Sequence, residues 1–112
     1  MKMLIPLMEN KGKESMVSEH FGHAPFFALF DTETKKLEIF ENRIDHSNPS
    51  LTPVDQLMKY SPDMVYVKDI GQRAIRLFKE KDIALKTGDS KTVKDAIENI
   101  EKTTDVERGC EH

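Results

Sequence analysis

Apolar residues are gathered into short blocks that polar segments separate. Residues 3–8 form an almost unbroken apolar run, which favours a strand covered on both faces. Because proline has no N–H to donate, Pro6 should lie near the end of that strand or at a bulge. Residues 26–30 predict a second strand, and residues 36–40 alternate as a half-buried third strand does. Their connection is of hairpin length, so this pair is expected to be antiparallel.

A first helix is predicted after the polar loop of residues 42–50. Thr52 can cap it, since Pro53 suits the first helical position and Asp55 the third. Pro62 disfavours helical geometry in the residue before it, so the helix should end near residue 60.

Strands and helices alternate in the second half of the chain. Residues 64–67 and 83–85 predict strands, residues 72–79 predict a helix, and a third helix follows. Repeated crossovers require parallel pairing, so the expected fold is α/β: a five-stranded mixed sheet with helices on both faces, in the order β-β-β-α-β-α-β-α. A single domain should span residues 1–102, and residues 103–112, which lack the apolar pattern, should form a flexible tail.

Composition and charge exclude several classes of partner. The 17 basic and 20 acidic residues give a net charge of −3, which offers no broad positive field for nucleic acid. The one cysteine, Cys110, cannot form an intrachain disulfide, which favours a reducing compartment. Without a signal peptide or an apolar run of the roughly 20 residues that span a membrane, the expectation is a cytoplasmic protein with no membrane partner.

Two histidines stand close together just before the second strand. His20 and His23 flank Gly22, and imidazole is a ready ligand for transition metals, while glycine lets a bulky ligand approach the backbone. The alternative is structural: His20 caps or packs the turn, and Phe21 anchors it in the core.

A second candidate site is the turn of residues 69–73, which opens the second helix. Helix N-termini favour anions, and Arg73 could add a charge-assisted contact. The alternative is an ordinary turn in which Asp69 caps the helix and Gly71 permits the turn. If the first and fourth strands are parallel neighbours, the histidines would face residues 70–73 across one crevice.

The tail and the missing motifs also bear on function. Cys110 and His112 could bind a soft metal or could be incidental residues of a solvated tail. The chain has no G-x-x-x-x-G-K-[ST] loop, no G-x-S-x-G elbow and no C-x-x-C pair, and its first strand carries no acidic residue. We therefore expect a protein that is not an enzyme. A single cysteine cannot supply four thiolates to a cluster, so any cluster is held by few covalent bonds or between two chains.

The segment SEHFGHAPFF, preceded by IPL and followed by DTE, resembles the signature of the dinitrogenase iron-molybdenum cofactor biosynthesis family, which includes NifX, NafY and the C-terminal part of NifB. The stretches MVYVKDIGQRAIRLFKEKDIALKTG and KTVKDAIENI are similar to the second half of that family. The resemblance implies a ribonuclease-H-like three-layer fold and the binding of iron–sulfur or iron–molybdenum cluster precursors. Carried over by position, it points to Ser18, His20, Phe21, Gly22 and Ala24 in the first motif and to Ile70, Gly71, Arg73 and Ala74 in the second.

The leading hypothesis is a cytoplasmic cluster carrier that works with cluster donor or acceptor proteins. Its expected metal ligands are His20, His23, Cys110 and His112. The alternative is a regulatory or scaffold module that binds a partner protein or a small anion without metal. The sequence leaves both a monomer and a homodimer open.

Overall fold

The centre of the molecule is a mixed sheet. A computed structural model describes residues 1–45, 47, 50–68, 72–88, 90–98 and 104–105. Within these residues the strands are β1 (Lys2–Leu7), β2 (Phe26–Asp31), β3 (Leu37–Glu41), β4 (Met64–Val67), β5 (Ala84–Thr87) and β6 (Thr104–Asp105), in the order β3-β2-β1-β4-β5-β6. β2 pairs antiparallel with both β1 and β3, whereas β4 is parallel to both β1 and β5. The α/β class and the mixed pairing expected from the sequence are confirmed.

The last strand differs from the sequence-based expectation of five strands. Thr104 and Asp105 lie in the segment expected to be a flexible tail, yet they pair antiparallel with Thr87 and Lys86 of β5. The strand predicted at residues 83–85 also begins and ends slightly later, at Ala84–Thr87. The rest of the tail, including Cys110 and His112, lies outside the described residues.

In the described part of the chain three helices follow the predicted order: α1 (Pro53–Leu57), α2 (Gln72–Glu80) and α3 (Val93–Glu98). The predicted cap of α1 is confirmed, because the Thr52 hydroxyl accepts a hydrogen bond from the Asp55 N–H while the Asp55 carboxylate accepts one from the Thr52 N–H, both at 3.1 Å. A 3-10 turn continues α1 to Tyr60, and Ser61 then adopts a left-handed conformation with φ of 52°. No helix in the described part of the chain has the length and apolar character to cross a membrane.

The sheet has an apolar core on each face, because successive residues of a strand point to opposite sides. On one face, side chains of α1 and α2 pack with side chains of the sheet in a core that includes Leu4, Phe27, Val54, Leu57, Val65, Val67, Phe78 and Leu85. On the other face, side chains of α3 pack with the sheet in a core that includes Met3, Ile5, Leu7, Ala28, Met64, Tyr66, Val93 and Ala96. β1 is therefore buried on both sides, as its unbroken apolar run predicted, and the helices lie on both faces.

An ion pair joins the two helices of the first face. The Lys81 ammonium, just after α2, lies 2.8 Å from the Asp55 carboxylate at the start of α1. The hydrogen bond from Lys81, together with those from Thr52, lowers the pKa of Asp55 to about 2. One carboxylate thus caps α1 and tethers it to α2.

Candidate functional site

The histidine loop, residues 18–24, and the start of α2 lie at the same edge of the sheet. β1 and β4 are parallel neighbours, with Leu4 opposite Val65, so their carboxyl ends meet at that edge. β2 begins there as well, because Phe26 pairs with Leu7 at the end of β1. The condition set by the sequence analysis for a shared crevice, that β1 and β4 be parallel neighbours, is met.

The chain leaving β1 returns along it as a short ribbon before entering the histidine loop. Met8 N–H donates to the Met16 carbonyl at 2.9 Å, and Ser18 N–H donates to the Pro6 carbonyl at 2.8 Å. Pro6 is the last but one residue of β1, near the strand end as predicted. Val17 N–H donates to the Lys91 carbonyl at 2.8 Å, which fixes the ribbon to the segment before α3. The first residue of the loop is therefore held by backbone bonds.

The hydroxyl of Ser18 closes the first turn of the histidine loop. Its oxygen accepts a hydrogen bond from the His20 N–H at 3.1 Å and lies 3.2 Å from the His20 carbonyl, to which it can donate. Ser18 is buried, whereas His20 is exposed. The turn is thus closed by the serine, and the imidazole of His20 stands at the surface.

Phe21 anchors the histidine loop in the core. The side chain is 6% exposed, and its ring meets those of Phe27 and Phe78 edge to face, with centroids 5.4 and 5.5 Å away. Because Phe78 belongs to α2, this contact joins the loop directly to the second helix. Phe21 therefore anchors the turn in the core, as the structural alternative expected. His20 and His23, on either side of it in the chain, are both exposed.

Asn42, which follows β3, holds the far side of the histidine loop. Its side-chain amide donates to the carbonyls of Gly22 at 3.2 Å and Ala24 at 2.7 Å. Its backbone N–H also donates to the Pro25 carbonyl at 3.0 Å. The polar pattern of residues 42–50 predicts a plain loop at Asn42 and does not indicate this role. No local signal could have shown it, since the partners are 17 to 20 residues away in the chain.

The structure brings some of the candidate residues together at one edge of the sheet, and the others lie outside the described residues. His20 and His23 are exposed in one loop, and Arg73 is exposed in the first turn of α2 at the same edge. Asp69, Ile70, Gly71 and His46 lie outside the described residues, as do both tail candidates.

Two further candidates, Ala24 and Ala74, have packing roles. Ala24 is buried, and Ala74 packs against the core beneath α2.

Among the described residues, no three His, Cys, Asp or Glu side chains come together as metal ligands. The histidine loop thus offers a potential ligand set of two imidazoles.

Two cavities lie away from the histidines. A small one, of about 30 Å³, is next to the loop and is lined by residues that include Asn42, Phe27 and Tyr60. A larger one, of about 250 Å³, lies at the opposite edge of the sheet and includes Lys2, Asp31 and Lys36. Neither is lined by His20 or His23. The candidate site is therefore not a cavity but a fixed loop that carries two exposed histidines.

Fold and loop together define a small α/β domain that presents a fixed histidine loop at the carboxyl edge of its sheet. The model of the family described as dinitrogenase iron-molybdenum cofactor matches residues 1–103. The chain belongs to this family. No curated protein matches the chain significantly.

Solved structures share the fold over nearly the whole chain. The crystal structure of PH0822 is 28% identical, with a TM-score of 0.76, and the match covers 94% of this chain and 96% of that one. A Thermotoga protein provisionally named NifB is 26% identical, with a TM-score of 0.74 and coverage of 90% and 87%. The apo form of the orange protein from Desulfovibrio gigas is 17% identical, with a TM-score of 0.77 and coverage of 93% and 91%, a likeness of fold.

Proposed function

We propose that this protein binds an iron–sulfur or iron–molybdenum cluster as cargo and passes it between cluster donor and acceptor proteins, without catalysing a reaction. One observation carries the proposal: His20 and His23 are exposed on a loop whose backbone is fixed from both sides. A fixed loop with exposed imidazoles can meet a cluster with little loss of conformational entropy. Family membership supports a cargo of this type.

The residues divide the work by their chemistry. His20 and His23 are the metal ligands, and Arg73 with the start of α2 offsets the negative charge of the cluster. Gly22, between the two histidines, lets the cargo approach the backbone. Ser18 and Phe21 hold the loop in place, as described above. From the family resemblance we add Ile70 and Gly71 at the second turn, and from the soft-metal chemistry of their side chains we add Cys110 and His112 as further ligands.

A site of two imidazoles is better suited to carrying a cluster between proteins than to holding a cluster permanently. Clusters that stay with one protein are commonly held by four thiolates. The two imidazoles of the histidine loop leave the other metal positions open, either to Cys110 and His112 or to the ligands of an acceptor protein. The proposal therefore assigns the cytoplasmic role of an accessory protein in cofactor assembly.

The test is anaerobic reconstitution of the whole chain with iron and sulfide, followed by metal analysis and absorption spectroscopy. We expect bound iron and a charge-transfer absorption in the visible range. His20→Ala and His23→Ala should each lower the iron content, while His46→Ala, a histidine outside the loop, serves as the matched control. A protein that stays colourless and free of iron would contradict the proposal and leave the regulatory or scaffold module as the remaining class.

A further inference from the structure

Two methionines of the ribbon after β1, Met8 and Met16, are exposed to solvent. Met8 is 56% and Met16 49% exposed, in a protein whose other internal methionines that the structure describes, Met3, Met58 and Met64, are buried or partly buried. The N-terminal Met1 is exposed to a similar extent, 51%, at the opposite end of β1. Exposure alone is ordinary for single apolar residues, so whether Met8 and Met16 could form a site depends on how they are arranged.

Met8 and Met16 lie directly opposite each other in the ribbon. Leu7 bridges Val17 in antiparallel fashion, and the Met8 N–H donates to the Met16 carbonyl at 2.9 Å, so the next pair of residues in the ladder is Met8 with Met16. Side chains directly opposed in an antiparallel pair have Cβ atoms about 4.5–5.5 Å apart. Two flexible thioether chains at that spacing can bring both sulfur atoms to one ion.

The ribbon also fixes the direction of the pair. Leu7 and Val17 are both buried in the core beneath α3. Because successive residues of a strand point to opposite faces, Met8 and Met16 point to the other face, the one that Phe21 and α2 share. The Met16 N–H donates to the Glu9 carboxylate at 3.3 Å, and the neighbouring Val17 is bonded to Lys91, so the backbone beneath the pair is held in place.

We propose that Met8 and Met16 form a two-thioether site for a soft monovalent cation such as Cu(I). Thioether sulfur is a soft donor, and soft donors select Cu(I) over the harder divalent ions. Two thioethers on a fixed ribbon act as a chelate, since binding of the first sulfur places the second at a high effective concentration. The pair includes no residue of the histidine loop and does not depend on the cluster proposed above.

Silver(I) is the probe, because it shares the soft chemistry of Cu(I) and does not change oxidation state in air. The whole chain carrying Cys110→Ser is used, so that the thiol does not capture the ion. Methionine methyl groups are labelled with ¹³C, and Ag(I) is titrated in chloride-free buffer. Met8→Leu and Met16→Leu variants assign the two resonances and remove one sulfur each at nearly constant volume.

We expect the Met8 and Met16 methyl resonances to shift together, with one shared binding curve that saturates at one equivalent. Met1 is the internal control for a lone exposed thioether, and Met3 and Met64 for buried ones. Losing either sulfur should weaken binding at the other by about tenfold or more, because the chelate is lost. Met58→Leu should change nothing. Separate curves for Met8 and Met16, or a response no stronger than that of Met1, would overturn the proposal.

Discussion

Two turns at opposite ends of β2 are held in opposite ways. The hairpin turn of residues 31–36 is closed from within: the Asp31 carboxylate accepts from the Glu33 N–H at 2.9 Å, and the Asp31 carbonyl accepts from the Lys35 N–H at 2.8 Å. The histidine loop is closed by Ser18 at its first turn only, and the rest is held from outside, by the amide of Asn42 and by the ring contact between Phe21 and Phe78. The hairpin turn is closed mainly by its own residues, with one added contact in which the Thr32 N–H donates to the Met1 carbonyl at 2.8 Å, whereas the histidine loop depends mainly on the assembled fold.

This difference suits what each turn does. The hairpin turn only has to reverse the chain, and an Asx-type bond two residues long does that. In the proposed function, the histidine loop presents two imidazoles at a fixed place, although its own backbone forms no regular structure. Binding loops of this kind are commonly positioned by a rigid scaffold. Changes in distant residues should therefore disturb the histidine loop, whereas the hairpin turn should respond mainly to its own residues and to Met1, which contacts it.

The largest expected effect is that of Phe21→Ala. Removing a buried ring that packs on Phe27 and Phe78 should lower the free energy of unfolding by about 3–5 kcal/mol. It should also release the histidine loop, because the loop loses its contact with α2. Denaturant unfolding measures the first effect, and amide hydrogen exchange of residues 20–24 measures the second.

The matched control for the ring is Phe21→Leu, which keeps an apolar side chain in the core and should recover most of the stability. Thr34→Ala in the hairpin turn, an exposed position, should change stability by less than about 0.5 kcal/mol. If Phe21→Ala were as mild as Thr34→Ala, the contrast between the two turns would be wrong.

A smaller effect is expected of Asn42→Ala. It removes two donors from the carbonyls of Gly22 and Ala24, which should cost about 1–2 kcal/mol. Backbone chemical shifts should change most at residues 22–25, although these lie far from Asn42 in sequence. Asn42→Asp is the control, since it keeps the shape and the acceptor oxygen but not the donated bonds. Shifts confined to the neighbours of residue 42 would contradict the clamp.

The same contrast explains how much of the fold could be predicted. The strands followed from apolar runs, and the cap of α1 from Thr52 and Asp55, because those signals act within a few residues. The parallel pairing of β4 with β5 followed from the rule that strand–helix–strand crossovers are right-handed and parallel, whereas the sequence left the pairing of β1 with β4 open. β6 was missed, because two residues that pair with β5 carry no periodic pattern of their own.

The sequence indicated where the histidine loop lies but not which contacts hold it in place. The edge of the sheet at which His20 and His23 lie follows from the direction of β1, whereas its closeness to the start of α2 depends on the pairing of β1 with β4, which the sequence left open. The clamp by Asn42 and the pairing of Met8 with Met16 arise only when the chain has folded back on itself. Sequence patterns report local geometry, so contacts of this kind remain hidden in a single sequence.

The smallest expected effect is a pH response confined to the hairpin turn. The hydrogen bond from the Glu33 N–H, with a further one from Thr34, holds the pKa of Asp31 below its usual value of 3.8. A carboxylate with a lowered pKa contributes stability above pH 3.8, and that contribution is lost as the pH falls through the lower value of the folded state. The amide resonances of Glu33 and Thr34 should therefore titrate below pH 3.8, and Asp31→Asn should abolish the response. A titration that persists in Asp31→Asn would assign it to another carboxylate, and the turn would then be held by something other than its own aspartate.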